Sequence, residues 1–222
     1  MSAGRAVLFD MDGVIFDSER AQMACWQAVA DRMGLGDLTE VYHACIGVTL
    51  PATEGVLKGA YGADFPWRRF REEANALYLA RYGECGLPLK PGARELLTAL
   101  RSRGVPLALA TSTGGELARG FLRTAGLLEL FDAVVTGDRV SRSKPDPEIF
   151  LTACAELGAV PAESWVVEDS FSGVRAARAG GFRVLMVPDL LPPDREMEEL
   201  AEAVFPSLRE AGEYLEKALA TA

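Results

Sequence analysis

Two carboxylate pairs stand far apart in this chain, each directly after a short apolar run. Asp10 and Asp12 follow Ala6-Val7-Leu8-Phe9, and Glu168 and Asp169 follow Trp165-Val166-Val167. Carboxylates this close repel one another unless a cation or a shared proton intervenes. Charges at the end of a buried run are also costly unless they are solvated or bind an ion. Oxygen-only ligands favour a hard cation, and Mg²⁺ is the natural one beside a phosphate. Gly13 allows a sharp turn that folds Asp12 back toward Asp10.

Two further groups complete the set. Thr111 closes Leu107-Ala108-Leu109-Ala110, where its hydroxyl could donate to a phosphoryl oxygen with help from the next backbone amide, that of Ser112. Thr113 is the better N-cap for a helix starting near Gly115 or Glu116, which leaves Thr111 free for a ligand. Lys144 lies in Arg142-Ser143-Lys144-Pro145-Asp146-Pro147, as a compact point charge suited to phosphate and to stabilising an aspartyl nucleophile. Asp146 is expected to cap the next helix, with Pro147 at its first position. Taken singly, these residues have ordinary readings as polar turns, caps and a surface lysine. Taken together they form carboxylate pair, hydroxyl, lysine and carboxylate pair at four separate strand ends.

The elements that must position them are legible as apolar runs and helical periods. Strands are predicted at Ala6 to Phe9, Val105 to Ala110, Ala133 to Thr136, Trp165 to Val167 and Arg183 to Val187, with a short edge strand at Ala203 to Phe205. Helices are predicted at Arg94 to Arg103, Glu116 to Ala125, Pro147 to Leu157, Ser172 to Ala179 and Leu208 to Leu219. Such alternation gives an α/β fold, a Rossmann-like and mostly parallel sheet with helices on both faces. Residues 18–88 break the rhythm with helices at Glu19 to Met33, Thr39 to Ile46, Thr53 to Gly59 and Trp67 to Arg81. They end in the turn-rich Leu87-Pro88-Leu89-Lys90-Pro91-Gly92. The expected organisation is a core of residues 1–17 and 89–222 with an all-helical domain, residues 18–88, inserted near the sheet's carboxyl edge. Trp26, Val29, Met33, Phe70, Ala74, Leu77 and Tyr78 fall at helical spacing and read as its core.

Composition excludes several classes. With a net charge of −9 and no Lys/Arg cluster beyond Arg68, Arg69 and Arg71, which read as a solvated helix face, the chain is not a nucleic-acid binder. No apolar stretch reaches membrane-spanning length. The first ten residues lack a signal-peptide pattern. The four cysteines lack metal-ligand spacing, as expected of a reduced cytoplasmic protein. Monomer and weak homodimer are both left open.

The motifs resemble the haloacid dehalogenase superfamily, in its phosphatase and β-phosphoglucomutase branch with a small helical cap. The resemblance covers nearly the whole chain. Asp10-Met11-Asp12-Gly13-Val14 is similar to the family's first motif, implying Asp10 as nucleophile and Asp12 as general acid and base. Thr111, Lys144 in Ser143-Lys144-Pro145, and Glu168-Asp169 match the second, third and fourth motifs. The resemblance implies a Mg²⁺ ion held by Asp10, Asp169 and the Asp12 carbonyl, with Glu168 ligating directly or through water. It implies hydrolysis of a small phosphorylated metabolite, such as a sugar or polyol phosphate, through an aspartyl-phosphate. It also places Glu19, Arg20, Gln22, Thr49 and Leu50 of the cap toward the substrate. Mutase relatives carry a cap histidine and a cap arginine where this chain has Gln22 and Leu50, so a phosphomutase is the second reading. A phosphoacceptor signalling module, which also phosphorylates an Asp, is the non-enzymatic one; the inserted helices and Asp12 speak against it.

Overall fold

The computed structural model describes residues 4–220. Its sheet is built from β1 (Val7–Phe9), β2 (Leu107–Thr111), β3 (Ala133–Thr136), β4 (Trp165–Glu168), β5 (Arg183–Met186) and β6 (Ala203–Val204). These lie in the order β3-β2-β1-β4-β5-β6, and every neighbouring pair is parallel. The chain runs outward from β1 through β2 to β3, then crosses back to β4 on β1's other side. That reversal leaves a crevice at the carboxyl edge beside β1, the usual ligand position in an open α/β sheet.

The apolar runs alternate between two cores, as a pleated strand requires. Val7, Phe9, Leu107, Leu109, Trp165 and Val167 face one side. There they meet α5 (Ala93–Ser102), α6 (Gly115–Thr124) and α10 (Leu208–Ala220) through residues such as Leu97, Phe121 and Leu215. Leu8, Ala108, Ala110, Val166 and Val184 face the other. They pack on α7 (Glu148–Glu156), α8 (Phe171–Ala179) and α9 (Arg195–Leu200). Both faces are covered, so the strands are apolar throughout.

Between β1 and α5 lie α1 (Ser18–Met33), α2 (Thr39–His43), α3 (Leu50–Tyr61) and α4 (Trp67–Tyr82). They enclose a separate apolar cluster in which the Trp26 ring meets Tyr42, Trp67 and Phe70 edge-on. The two connections to this helical segment run side by side: Asp17 N–H donates to Pro88 O at 2.8 Å, and Lys90 N–H to Ile15 O at 2.9 Å.

Several boundaries differ from expectation. α3 begins at Leu50 rather than Thr53, because Pro51 fits the first helical turn. α2 stops at His43, short of Ile46. α9 was not expected; Asp194 starts it by accepting from Met197 N–H at 2.9 Å. No helix among the described residues is long and apolar enough to cross a membrane.

Candidate active site

Register decides which side chains meet. Phe9 pairs with Val167 across β1 and β4, so Asp10 emerges level with Glu168, and Asp10 N–H donates to Val167 O at 3.0 Å. Oxygens of Asp10, Glu168 and Asp169 all lie within 4.8 Å of one another. The segment after Asp10 turns back on itself, with Gly13 N–H donating to Phe16 O at 2.9 Å. Gly13 has φ of +75°, and a Cβ built on it would stand 2.1 Å from Asp169 Oδ2. Only glycine lets the Asp169 carboxylate lie against this turn.

Lys144 arrives from the loop after β3 and lies over the Phe150 ring, 4.8 Å from its centroid. Its ammonium donates to Asp10 Oδ1 at 2.5 Å and to Glu168 Oε1 at 2.6 Å. Glu168 is wholly buried. Its Oε2 accepts from Asp169 N–H at 3.0 Å, Ser170 N–H at 3.0 Å and the Ser170 hydroxyl at 2.9 Å. Both oxygens are thus committed to protein donors, which makes Glu168 the anchor of Lys144.

Burial pushes the Asp10 carboxyl up to about 8; Lys144 opposes the rise, while Glu168 and Asp12 add to it. Burial likewise raises Asp169 well above the ordinary range, reinforced by Glu168 and Asp10. Burial alone would lower the Lys144 ammonium, but Asp10 and Glu168 beside it hold it above its usual value. The donor set is hard oxygen, crowded and short of positive charge, so it fits a divalent cation. Asp10 and Asp169 are the side chains with oxygens available to hold one.

Asp12 Oδ2 accepts from the Thr113 hydroxyl at 2.7 Å and, more distantly, from the Thr111 hydroxyl at 3.4 Å. The expectation that Thr113 caps the next helix is not met. Gly114 stands at that position without a side-chain cap. Asp138, from beyond β3, accepts from Gly115 N–H instead, at 3.2 Å. Thr111 is fully buried, and its hydroxyl accepts from Thr113 N–H at 3.1 Å. It is therefore engaged with the turn and Asp12, while Ser112 faces the cleft. Asp146 accepts from Glu148 N–H at 3.0 Å, but α7 starts one residue later than expected, at Glu148, so Pro147 rather than Asp146 stands at its cap position, without a side-chain cap.

The cleft over these groups has a volume of about 430 Å³, and Asp10, Asp12, Ser112, Lys144 and Asp169 all line it. From the helical segment come Glu19, Ile46 and Gly47, and from the loop after β5 come Asp189 and Leu190. Burial raises the Glu19 carboxyl, against a hydrogen bond from the Tyr42 hydroxyl at 2.9 Å. Of the other expected cap residues, Gln22 and Leu50 line a neighbouring cavity. Thr49 is exposed at the start of α3, outside both cavities. Arg20 is held at the junction, donating to Asp17 Oδ1 at 2.8 Å and to Asp189 Oδ1. Lys90, on the returning connection, donates to the same Asp189 oxygen at 2.6 Å. Asp189 thus ties both connections to the core. Nothing local in its sequence marks it, whereas Thr113 was visible as the third of three consecutive hydroxyl residues.

The family model of haloacid dehalogenase-like hydrolases matches residues 7–187. The chain is 37% identical to a phosphorylated carbohydrates phosphatase of Thermotoga maritima, over 79% of this chain and 81% of that one. It is 32% identical to a phosphoglycolate phosphatase of Nitrosospira multiformis, over 96% of each. A solved HAD family hydrolase from Deinococcus radiodurans, with bound phosphate and sodium, superposes with a TM-score of 0.84 at 32% identity, covering 98% of this chain and 97% of that one. Sheet order, the carboxylate and lysine cluster at its switch point, and these likenesses agree: the chain belongs to the haloacid dehalogenase-like hydrolase family.

Proposed function

We propose that this protein is a phosphatase that hydrolyses a small phosphate monoester through an aspartyl-phosphate on Asp10, with Mg²⁺ as its metal. The observation that carries this reading is the Asp10 carboxylate, within hydrogen-bonding reach of Lys144 and inside one oxygen cluster with Asp169. Asp10, Asp169 and the Asp12 carbonyl would hold the ion. When bound, it offsets charge on the substrate phosphate and on the carboxylates around it.

The protein's own groups account for the remaining chemistry. Asp10 attacks phosphorus as the bond to the ester oxygen breaks, and protonated Asp12 gives its proton to the departing alcohol. Asp12 then takes a proton from water. The resulting hydroxide attacks phosphorus, and the bond to Asp10 breaks, releasing inorganic phosphate. Thr113 and Thr111 orient Asp12 for both transfers. Lys144 and the Ser112 backbone donate to the phosphoryl oxygens as charge redistributes. Residues 18–88 act as a cap over the core of residues 1–17 and 89–222, excluding bulk water during the reaction. The four free cysteines suit a reduced, cytoplasmic setting.

The test is Asp10→Asn. Phosphate release from p-nitrophenyl phosphate with Mg²⁺ should fall at least about 1000-fold, while circular dichroism shows the fold retained. Wild-type turnover by this variant refutes the assignment.

A further inference from the structure

The turn that carries Thr111, Ser112 and Thr113 is held from outside its own strand and helix. Gly137 and Asp138 follow β3 directly and grip the turn on both sides of Gly114. Gly137 N–H donates to Thr113 O at 3.1 Å. Asp138 Oδ1 accepts from Gly115 N–H at 3.2 Å. The buried Thr136 hydroxyl fixes Asp138 in turn by donating to the same oxygen at 2.5 Å. The approach is close. A Cβ on Gly137 would stand 2.2 Å from Ser112 O and 2.8 Å from its carbonyl carbon. Both are backbone atoms, so only glycine admits the turn here.

Thr113 N–H also donates to the Thr111 hydroxyl at 3.1 Å, so the Thr113 backbone is tied on both sides. Its side chain is left for Asp12. The Thr113 hydroxyl donates to Asp12 Oδ2 at 2.7 Å, and the Thr111 hydroxyl adds a longer contact to that oxygen at 3.4 Å. Both donors fall on Oδ2. A protonated carboxyl that accepts on one oxygen carries its proton on the other, so this arrangement leaves Asp12 Oδ1 to hold the proton. The first amides of a helix need acceptors, and a threonine just before the helix is a ready one. Without Asp138, the Thr113 hydroxyl, two residues before Gly115, is in line to accept from that N–H and is drawn away from Asp12.

We propose that Asp138 is a positioning residue for the proton-transfer step: by capping α6 from beyond β3 it reserves the Thr113 hydroxyl for Asp12 Oδ2, and so presents the proton on Asp12 Oδ1 to the departing ester oxygen. This rests on the phosphatase reading, in which the bond from Asp10 to phosphorus forms, the ester bond breaks and the proton passes from Asp12 to the alcohol. Asp138 does not line the cleft, so its action runs through Thr113. The consequence is selective. An ester with a strongly basic leaving group needs the proton, and one whose leaving group is stable as an anion does not.

The test uses two esters of similar shape. p-Nitrophenyl phosphate releases a weakly basic phenolate, and phenyl phosphate a far more basic one. Asp138→Ala should lower kcat/KM for phenyl phosphate about 30-fold, and for p-nitrophenyl phosphate no more than about threefold. Asp138→Asn keeps an oxygen able to accept from both Thr136 and Gly115, and should hold phenyl phosphate hydrolysis within about threefold of wild type. Thr113→Val should reproduce the selective loss, and adding Asp138→Ala to it should lower phenyl phosphate hydrolysis by no more than about a further threefold. An Asp138→Ala protein that slows both esters by one common factor, or slows neither, overturns the inference. So do losses that multiply in the double variant. Because wild-type turnover of p-nitrophenyl phosphate stands in each of those cases, they leave the phosphatase reading in place. A wild-type protein that hydrolyses neither ester overturns that reading and this inference with it.

Discussion

Gly173→Ala tests whether Glu168 positions Lys144. Gly173 lies inside α8, where replacing glycine by alanine ordinarily stabilises by about 1 kcal/mol. Here a Cβ would stand 1.8 Å from Glu168 Oε1 and 1.9 Å from its carboxyl carbon. The carboxylate would have to retreat by more than an ångström. It is completely buried and held by Lys144 and by the Asp169 and Ser170 donors, so it has no open space to enter. Breaking one side of a buried ion pair costs about 3–5 kcal/mol, which outweighs the helical gain. A net loss of about 3 kcal/mol corresponds to a fall in Tm of roughly 6–12 °C for a chain of this size. Lys144 would shift with its anchor, and displacement of a reacting group by about 1 Å costs on the order of 100-fold in rate. Differential scanning fluorimetry and kcat with p-nitrophenyl phosphate measure the two effects. Glu168→Asp in the same background withdraws the carboxylate by one methylene and should recover part of the Tm. A Gly173→Ala protein with raised or unchanged Tm and kcat within threefold of wild type would refute the positioning role.

Three other outcomes are expected. Chelation should abolish phosphate release and added Mg²⁺ restore it; full activity in excess EDTA would contradict the metal assignment. In metal-free protein, Asp10 holds its proton up to about pH 8, chiefly through burial, and Asp169 is raised in the same sense, whereas unfolded carboxyls release theirs near pH 4. The stability this proton uptake confers is complete below about pH 4 and is lost as pH rises toward about 8. Tm in EDTA should therefore fall between pH 5 and 8, with a shallower slope in Asp10→Asn; a flat or rising profile would count against it. Asp189→Ala frees Arg20 and Lys90 at the junction and should cost about 3 kcal/mol, with a higher KM as the helical segment loses its tie; unchanged Tm and KM would remove Asp189 from that role.

Features set by local pattern were the most legible in the sequence. Unbroken apolar runs marked the buried strands, and the chemistry at each strand end marked Asp10, Asp12, Lys144, Glu168 and Asp169, because parallel register brings such ends to one edge. Features set by packing between distant segments were not legible. Thr113 was expected to cap its own helix, but Asp138 reaches across from beyond β3 and releases it to Asp12. Arg20 was expected to face substrate, but Asp189, separated from it by most of the chain, captures it. The cavity lined by Gln22 and Leu50 depends on how α1, α2, α3 and α4 fold around Trp26, and no periodicity in any one helix specifies that.

The shared position of Lys144 bears on the charge balance of the proposed reaction. At rest its ammonium is divided between Asp10 and Glu168. Once Asp10 is esterified, its carboxylate no longer carries the charge that Lys144 met, and a phosphoryl oxygen carries it instead. Lys144 can follow that charge only if something fixed holds the ammonium in place. Glu168 does so, because the Asp169 and Ser170 donors fix its other oxygen and it does not react. Two neighbouring carboxylates thus take separate tasks: Asp10 changes its bonding at each turn of the cycle, while Glu168 keeps the counter-charge within reach of both states. An Asp10 partner without Glu168 behind it would lose the lysine's placement along with the charge it balances.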